Sequence, residues 1–120
     1  MAMIIRQAVA SFRLLIAPAA IFLVACAPAL ADGDIKAGRE AAQKCETCHG
    51  LDGKSKIPEA PNIAGQNAQY IVKQLGDFKA GARQNQMMSI IVPTLTDKEI
   101  EDLAAYYSAI EVTIGKIPGQ

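Results

Sequence analysis

An all-α domain is what this sequence predicts, and three observations predict it. Apolar residues recur at helical spacing in three separate segments, and no stretch carries a convincing strand alternation. The final segment opens on Thr96 and Glu99, spaced as a capping box. The expected architecture is three main helices plus short helical segments, without internal repeats.

Residues 1–31 stand apart from that domain. Arg6 and Arg13 are their only charges, Leu14 to Ala27 is an apolar run, and Ala29-Leu30-Ala31 is an A-x-A cleavage site before the polar "DGD". These are the three regions of a secretory signal in order. The run contains Pro18 and is short for a membrane span of about 20 residues. An alternative reading takes "LVAC", Leu23 to Cys26, as a lipoprotein box, with lipid on Cys26 tethering the mature chain. The domain itself is then residues 32–120.

Within it, Asp34 is placed to cap a helix through "IKAGREAAQKCETCH", whose stripe of Ile35, Ala37, Gly38, Ala41 and Ala42 allows close approach to a partner. This helix is expected to run straight into a Cys-x-x-Cys-His trio. Gly50 to Gly65 has no period and reads as a loop. After Asn67 a second helix places Tyr70, Ile71, Gln74, Leu75 and Phe78 at helical spacing, and Gly81 ends it. A connection follows, with a short helix around Met87 to Ile91 broken at Pro93. The last helix starts at the Thr96 cap and puts Ile100, Leu103, Ala104, Tyr107 and Ile110 on one side.

Removing residues 1–31 takes two of the 12 basic residues and none of the 12 acidic ones, so the mature chain carries a net −2. That excludes a strongly basic nucleic-acid binder. The mature chain has no Trp, one Phe (Phe78) and three Tyr. A core that small is marginal and is usually reinforced by disulfides, metals or oligomerisation. Cys45 and Cys48 would close too small a loop to supply that reinforcement.

The trio Cys45, Cys48, His49 admits three chemistries. Structural zinc wants four N or S ligands, usually in two pairs; here there is one pair, and His49 is the sole histidine. A thioredoxin-like dithiol is hosted on a βαβ pattern, which this sequence lacks. Cys-x-x-Cys-His is also the attachment signature of c-type haem. Cys45 and Cys48 on one helical turn match the two vinyl groups along one haem edge, and His49 then points a ring nitrogen at the iron. One covalent haem also provides the apolar mass the core lacks.

With His49 used on one face, the other face of the iron takes Met, Lys, Tyr or nothing from the protein. A His/Met pair raises the potential and closes the iron, as an electron carrier requires. "QMMS" offers Met87 and Met88, the only methionines after the signal. The competing use of both is core filling.

The markers "CETCHGLDGKS", "PNIAGQ", "YIVKQLGDFKAGAR", "MMS" and "LTDKEIEDLAAYYS" together resemble the class I cytochromes c, within them the bacterial c553 and c4-type group, from about Gly33 to Ile114. The resemblance implies the small class I cytochrome c fold around one covalent haem c. It implies that the Pro61 carbonyl accepts a hydrogen bond from the second nitrogen of His49, and that Met88, eight residues before Thr96, is the axial methionine rather than Met87. Gly38 resembles the glycine that packs on an aromatic of the last helix, here Tyr106 or Tyr107. Tyr70 and Arg83 become candidates for contacts to the haem propionates. The c4 proteins carry two haem domains; this chain carries one motif and is similar to a single half. It also lacks a lysine-rich ring.

The expected function is that of a periplasmic one-electron carrier cycling Fe(III)/Fe(II) between redox proteins, not an enzyme, and attached to a membrane only if Cys26 is lipidated. It would act as a monomer or within a redox complex. The alternatives are a haem c subunit of a larger oxidoreductase and a gas-binding or sensing haem with an open sixth position.

Overall fold

The computed structural model describes residues 33–119, so the signal segment and Cys26 lie outside the described residues. Among those described there are five α-helices and no strand: α1 (Ile35–Ala41), α2 (Glu46–His49), α3 (Ala68–Lys79), α4 (Met88–Ile91) and α5 (Asp97–Ser108). Short 3₁₀ turns follow α1 (Ala42–Lys44) and α4 (Val92–Thr94). None of these helices is long and apolar enough to cross a membrane.

The domain is organised around the crossing of α1 and α5. Asp34 caps α1 by accepting from the Ala37 amide at 2.8 Å. Gly38 then lies against α5 so closely that a Cβ there would sit 2.0 Å from the Asp102 carbonyl oxygen and 2.8 Å from Tyr106 Cβ. Only a residue without a side chain permits this approach. Of the two tyrosines expected to meet this glycine, the structure selects Tyr106. Beside the crossing, the buried Asp102 carboxylate accepts from the Asp34 amide and from Lys98 Nζ, both at 2.6 Å. The Lys98 ammonium holds that carboxyl below its usual range despite burial.

The expected single helix into the trio is interrupted. α1 stops at Ala41, Ala42–Lys44 tightens into a 3₁₀ turn, and after Cys45 a separate four-residue helix, α2, begins. Ala, Gln and Lys are good helix formers, so tertiary packing imposes the break: Ala42 has no exposed surface. Each residue of such a turn rotates the chain roughly 20° further than in an α-helix. The trio is thereby re-aimed relative to α1.

α3 begins at its expected Asn67 cap, whose side chain accepts from the Tyr70 amide at 3.0 Å, and it buries Ile71 and Phe78. α5 carries the complete Thr96/Glu99 capping box and buries Ile100, Leu103, Ala104, Tyr106 and Tyr107. It packs against both α1 and α3. Pro93 lies inside the 3₁₀ turn that ends α4, where its fixed φ fits and its missing amide is tolerated.

Candidate functional site

Cys45 and Cys48 are free, partly exposed thiols separated by one turn, on the segment that ends in the buried His49. Burial pushes the Cys45 thiol up to about 11, against the pull of Lys44. A thiol that stays protonated at neutral pH is a poor attacking group for disulfide exchange.

His49 Nδ1 lies 3.0 Å from the Pro61 carbonyl oxygen. A carbonyl only accepts, so Nδ1 carries a proton, and in the neutral imidazole Nε2 then carries the lone pair. Among the described residues Nε2 has no hydrogen-bond partner. This is the arrangement in which imidazole serves as a metal ligand, with the second nitrogen fixing ring orientation and basicity.

The 50–65 loop that presents Pro61 is tightly tied. Gly50, at φ +71° and ψ 151°, ends α2 in a conformation reserved for glycine. The Lys56 amide returns to the Cys48 carbonyl (2.8 Å), and the Gly53 carbonyl accepts from the amides of Ile63 (2.8 Å) and Ala64 (3.1 Å). Asn62 Oδ1 accepts from the Ser55 amide at 2.8 Å, and the Ser55 hydroxyl donates to the Ile57 carbonyl. α5 holds the loop from outside. Tyr106 donates to the Leu51 carbonyl at 2.7 Å while accepting from Arg39 at 3.2 Å. Tyr107 donates to the Gly50 carbonyl at 3.2 Å.

The methionine pair is divided by exposure. Met88 is half-buried against the same core that Cys45, Leu51, Ile63, Val72 and Leu75 border, whereas Met87 is 54% exposed. Asn85 Oδ1 accepts from the amides of both Met87 (3.0 Å) and Met88 (3.1 Å), capping the short helix α4. Tyr70 is exposed. Arg83 donates to Gln74 Oε1 at 2.6 Å and stacks over the Phe78 ring at 4.6 Å. Gln74 lies one turn after Tyr70 on α3, which places Arg83 and Tyr70 on one face.

The residues fit a covalently attached haem. Two thiols stand one turn apart beside an imidazole whose Nδ1 is committed to Pro61, and Cys45 and the half-buried Met88 thioether both pack against one apolar core. The sequence reading did not single out the tyrosine hydroxyls, Asn85 or Asp102. Asn two and three positions before the methionines was the visible signal for the α4 cap. For the tyrosine hydroxyls, and for the contact of Asp102 with the Asp34 amide, the carbonyl or amide partners are 55 or more residues away, and no local pattern marks them.

Comparison with known proteins agrees with this chemistry. The family model described as "Cytochrome c" matches residues 35–109. Cytochrome c4 of Thiocapsa roseopersicina is 48% identical over 88 residues, covering 72% of this chain and 43% of that protein. Cytochrome c-554(548) of Halomonas halodenitrificans is 37% identical over 82 residues, covering 66% of this chain and 99% of that protein. The crystal structure of reduced recombinant cytochrome c4 from Pseudomonas stutzeri superposes with a TM-score of 0.63 at 38% identity, over 69% of this chain and 48% of that one. The chain thus spans less than half the length of the cytochrome c4 relatives it matches.

Proposed function

The chain belongs to the cytochrome c family, whose cofactor is covalently bound haem c, and on that premise we propose a one-electron carrier with a single haem whose iron is held between His49 and Met88. Cys45 and Cys48 form the thioethers. The domain is residues 32–120, exported to the periplasm by the 1–31 signal, or tethered there if Cys26 is lipidated. Electrons come from and go to other redox proteins.

One observation carries this reading: the His49–Pro61 contact, which commits Nδ1 and leaves Nε2 free. When bound, the haem supplies reversible one-electron Fe(III)/Fe(II) chemistry. The chain's residues do the rest. Pro61 fixes the imidazole ring and keeps its proton on Nδ1. Met88, half-buried against the core, suits the sixth position better than Met87, whose side chain lies largely in water. A thioether opposite an imidazole raises the potential and closes the iron to small ligands. Tyr70 and Arg83 are the candidate contacts to the propionates, a reading supported by the bond from Arg83 to Gln74, one turn after Tyr70 on α3.

Absorption spectra of the mature holoprotein test the reading. The expected result is a weak band at the red end of the ferric spectrum and no response of the ferrous form to carbon monoxide. Met88→Ala abolishes the band and admits carbon monoxide, whereas Met87→Ala leaves both unchanged. Ready carbon monoxide binding by the unsubstituted protein would overturn the carrier assignment in favour of ligand binding or sensing.

A further inference from the structure

The 50–65 loop leaves His49 at one end and presents Pro61 near the other. Both of its ends are held by one residue of α5. The Tyr107 hydroxyl donates to the Gly50 carbonyl at 3.2 Å, and the Tyr107 carbonyl accepts from the Gly65 amide at 2.9 Å. No other residue of α5 touches both ends in this way: Tyr106 reaches Leu51 at the near end alone. Tyr107 is 2% exposed and its ring meets Tyr106 edge-on at 5.1 Å, so the hydroxyl has little freedom to take another partner. Burial also pushes the phenol well above its ordinary range, so it stays a donor.

We propose that Tyr107 is a positioning residue for the axial histidine: by closing both ends of the 50–65 loop it sets the His49–Pro61 hydrogen bond, and through that bond the reduction potential. The inference rests on the His49 ligation proposed above. A hydrogen bond from Nδ1 to the Pro61 carbonyl increases the basicity of the opposite nitrogen and favours the higher charge on the metal. Releasing Gly50 lets the carbonyl of Pro61 move relative to the ring. The weaker bond then makes Nε2 a poorer donor and raises the potential.

The test uses the mature holoprotein with Tyr107→Phe and, as comparator, Tyr106→Phe. Each variant loses one hydroxyl bonded to a carbonyl near His49, so a merely structural role lowers both thermal midpoints and leaves the electronic readouts alone. Positioning predicts that Tyr107→Phe alone raises the potential and speeds solvent exchange of the His49 Nδ1 proton roughly fivefold, as expected for one neutral hydrogen bond. NMR of the ferrous protein reads this exchange. Replacing Tyr107 by 3-fluorotyrosine, a stronger donor of nearly the same shape, shifts the potential the other way and keeps the clamp if the Phe variant folds poorly.

Equal potentials and exchange rates for Tyr107→Phe and the parent protein overturn the positioning role. A parent protein whose His49 ring protons lack the displacement expected beneath a haem ring overturns the ligation reading, and this inference with it. The two failures are therefore distinguishable.

Discussion

Between Cys45 and Gly65 the chain is fastened to distant parts of the molecule, while between Gly81 and Leu95 its hydrogen bonds stay local. On the histidine side, His49 reaches Pro61, and Gly50, Leu51 and Gly65 are all held by α5 tyrosines more than 40 residues away. On the methionine side, Asn85 caps Met87 and Met88, Ser89 bonds back to Asn85, and among the described residues the farthest hydrogen-bond partner is Gln74, nine residues from Arg83. α4 has four residues and fully buries none of them; Val92 and Leu95 are the fully buried residues of the segment, and Met88 is half-buried against the core. The histidine side is therefore shaped by the polypeptide itself. The methionine side is held by a local cap, the buried Val92 and Leu95, and Met88 half-buried against the core.

The strongest way to break the contrast is to attack what the rigid side stands on. Gly38→Val puts a branched side chain where even a Cβ would lie 2.0 Å from a backbone oxygen of α5. Backbone cannot rotate away as a side chain can, so α1 must separate from α5. The expected loss is about 3 kcal/mol, the upper range for overpacking a close contact. Thermal unfolding followed by circular dichroism measures it. A variant within experimental error of the parent would show that the crossing is not the foundation of the histidine side.

A gentler change acts on the methionine side. Asn85→Ala removes the acceptor for two amides at the start of α4. Loss of such a cap costs about 1 kcal/mol. That destabilisation falls on the segment carrying Met88 rather than on the whole fold. Titration with imidazole, which competes for the sixth position, is expected to show roughly fivefold tighter binding than in the parent, as an energy of that size implies. Unchanged imidazole binding with a lowered thermal midpoint would mean that the cap supports the domain and not the methionine.

What was legible in the sequence follows the same division. Helix starts were readable because their signals are local: Asp34, Asn67 and the Thr96/Glu99 box cap the helices they predict. The trio and the Pro61 contact were legible through motif and family resemblance, and the geometry brings His49 and Pro61 together. The break of α1 at Ala42 was not legible, because a buried alanine in a run of helix formers looks the same in sequence whether or not packing tightens it. Asp102 reads as one more acidic residue on a charged helix, yet it is buried and bridges Asp34 and Lys98. The tyrosine clamps required knowing which carbonyls lie opposite α5, and topology alone decides that.

The smallest expected effect concerns the charge that links the two regions' common support. Glu99 closes the α5 capping box and pairs with Lys44, next to Cys45, at 2.7 Å. The Lys44 ammonium first, then the Thr96 amide, hold its carboxyl down at about 2, against an ordinary 4.5. A carboxyl depressed in the folded state contributes stability above its unfolded value and loses it as the pH falls through its folded value. The contribution is thus present at pH 7 and disappears between about pH 4.5 and pH 2. Glu99→Gln keeps an acceptor for the Thr96 amide and deletes only the charge, and an exposed pair of this kind contributes no more than about 0.5 kcal/mol. Unfolding midpoints of the two proteins should differ slightly at pH 7 and converge as the acid limit is approached. If the gap is the same at pH 7 and at pH 2, the carboxylate acts through the cap alone, and the tie between Lys44 and α5 adds nothing to the rigidity of the histidine side.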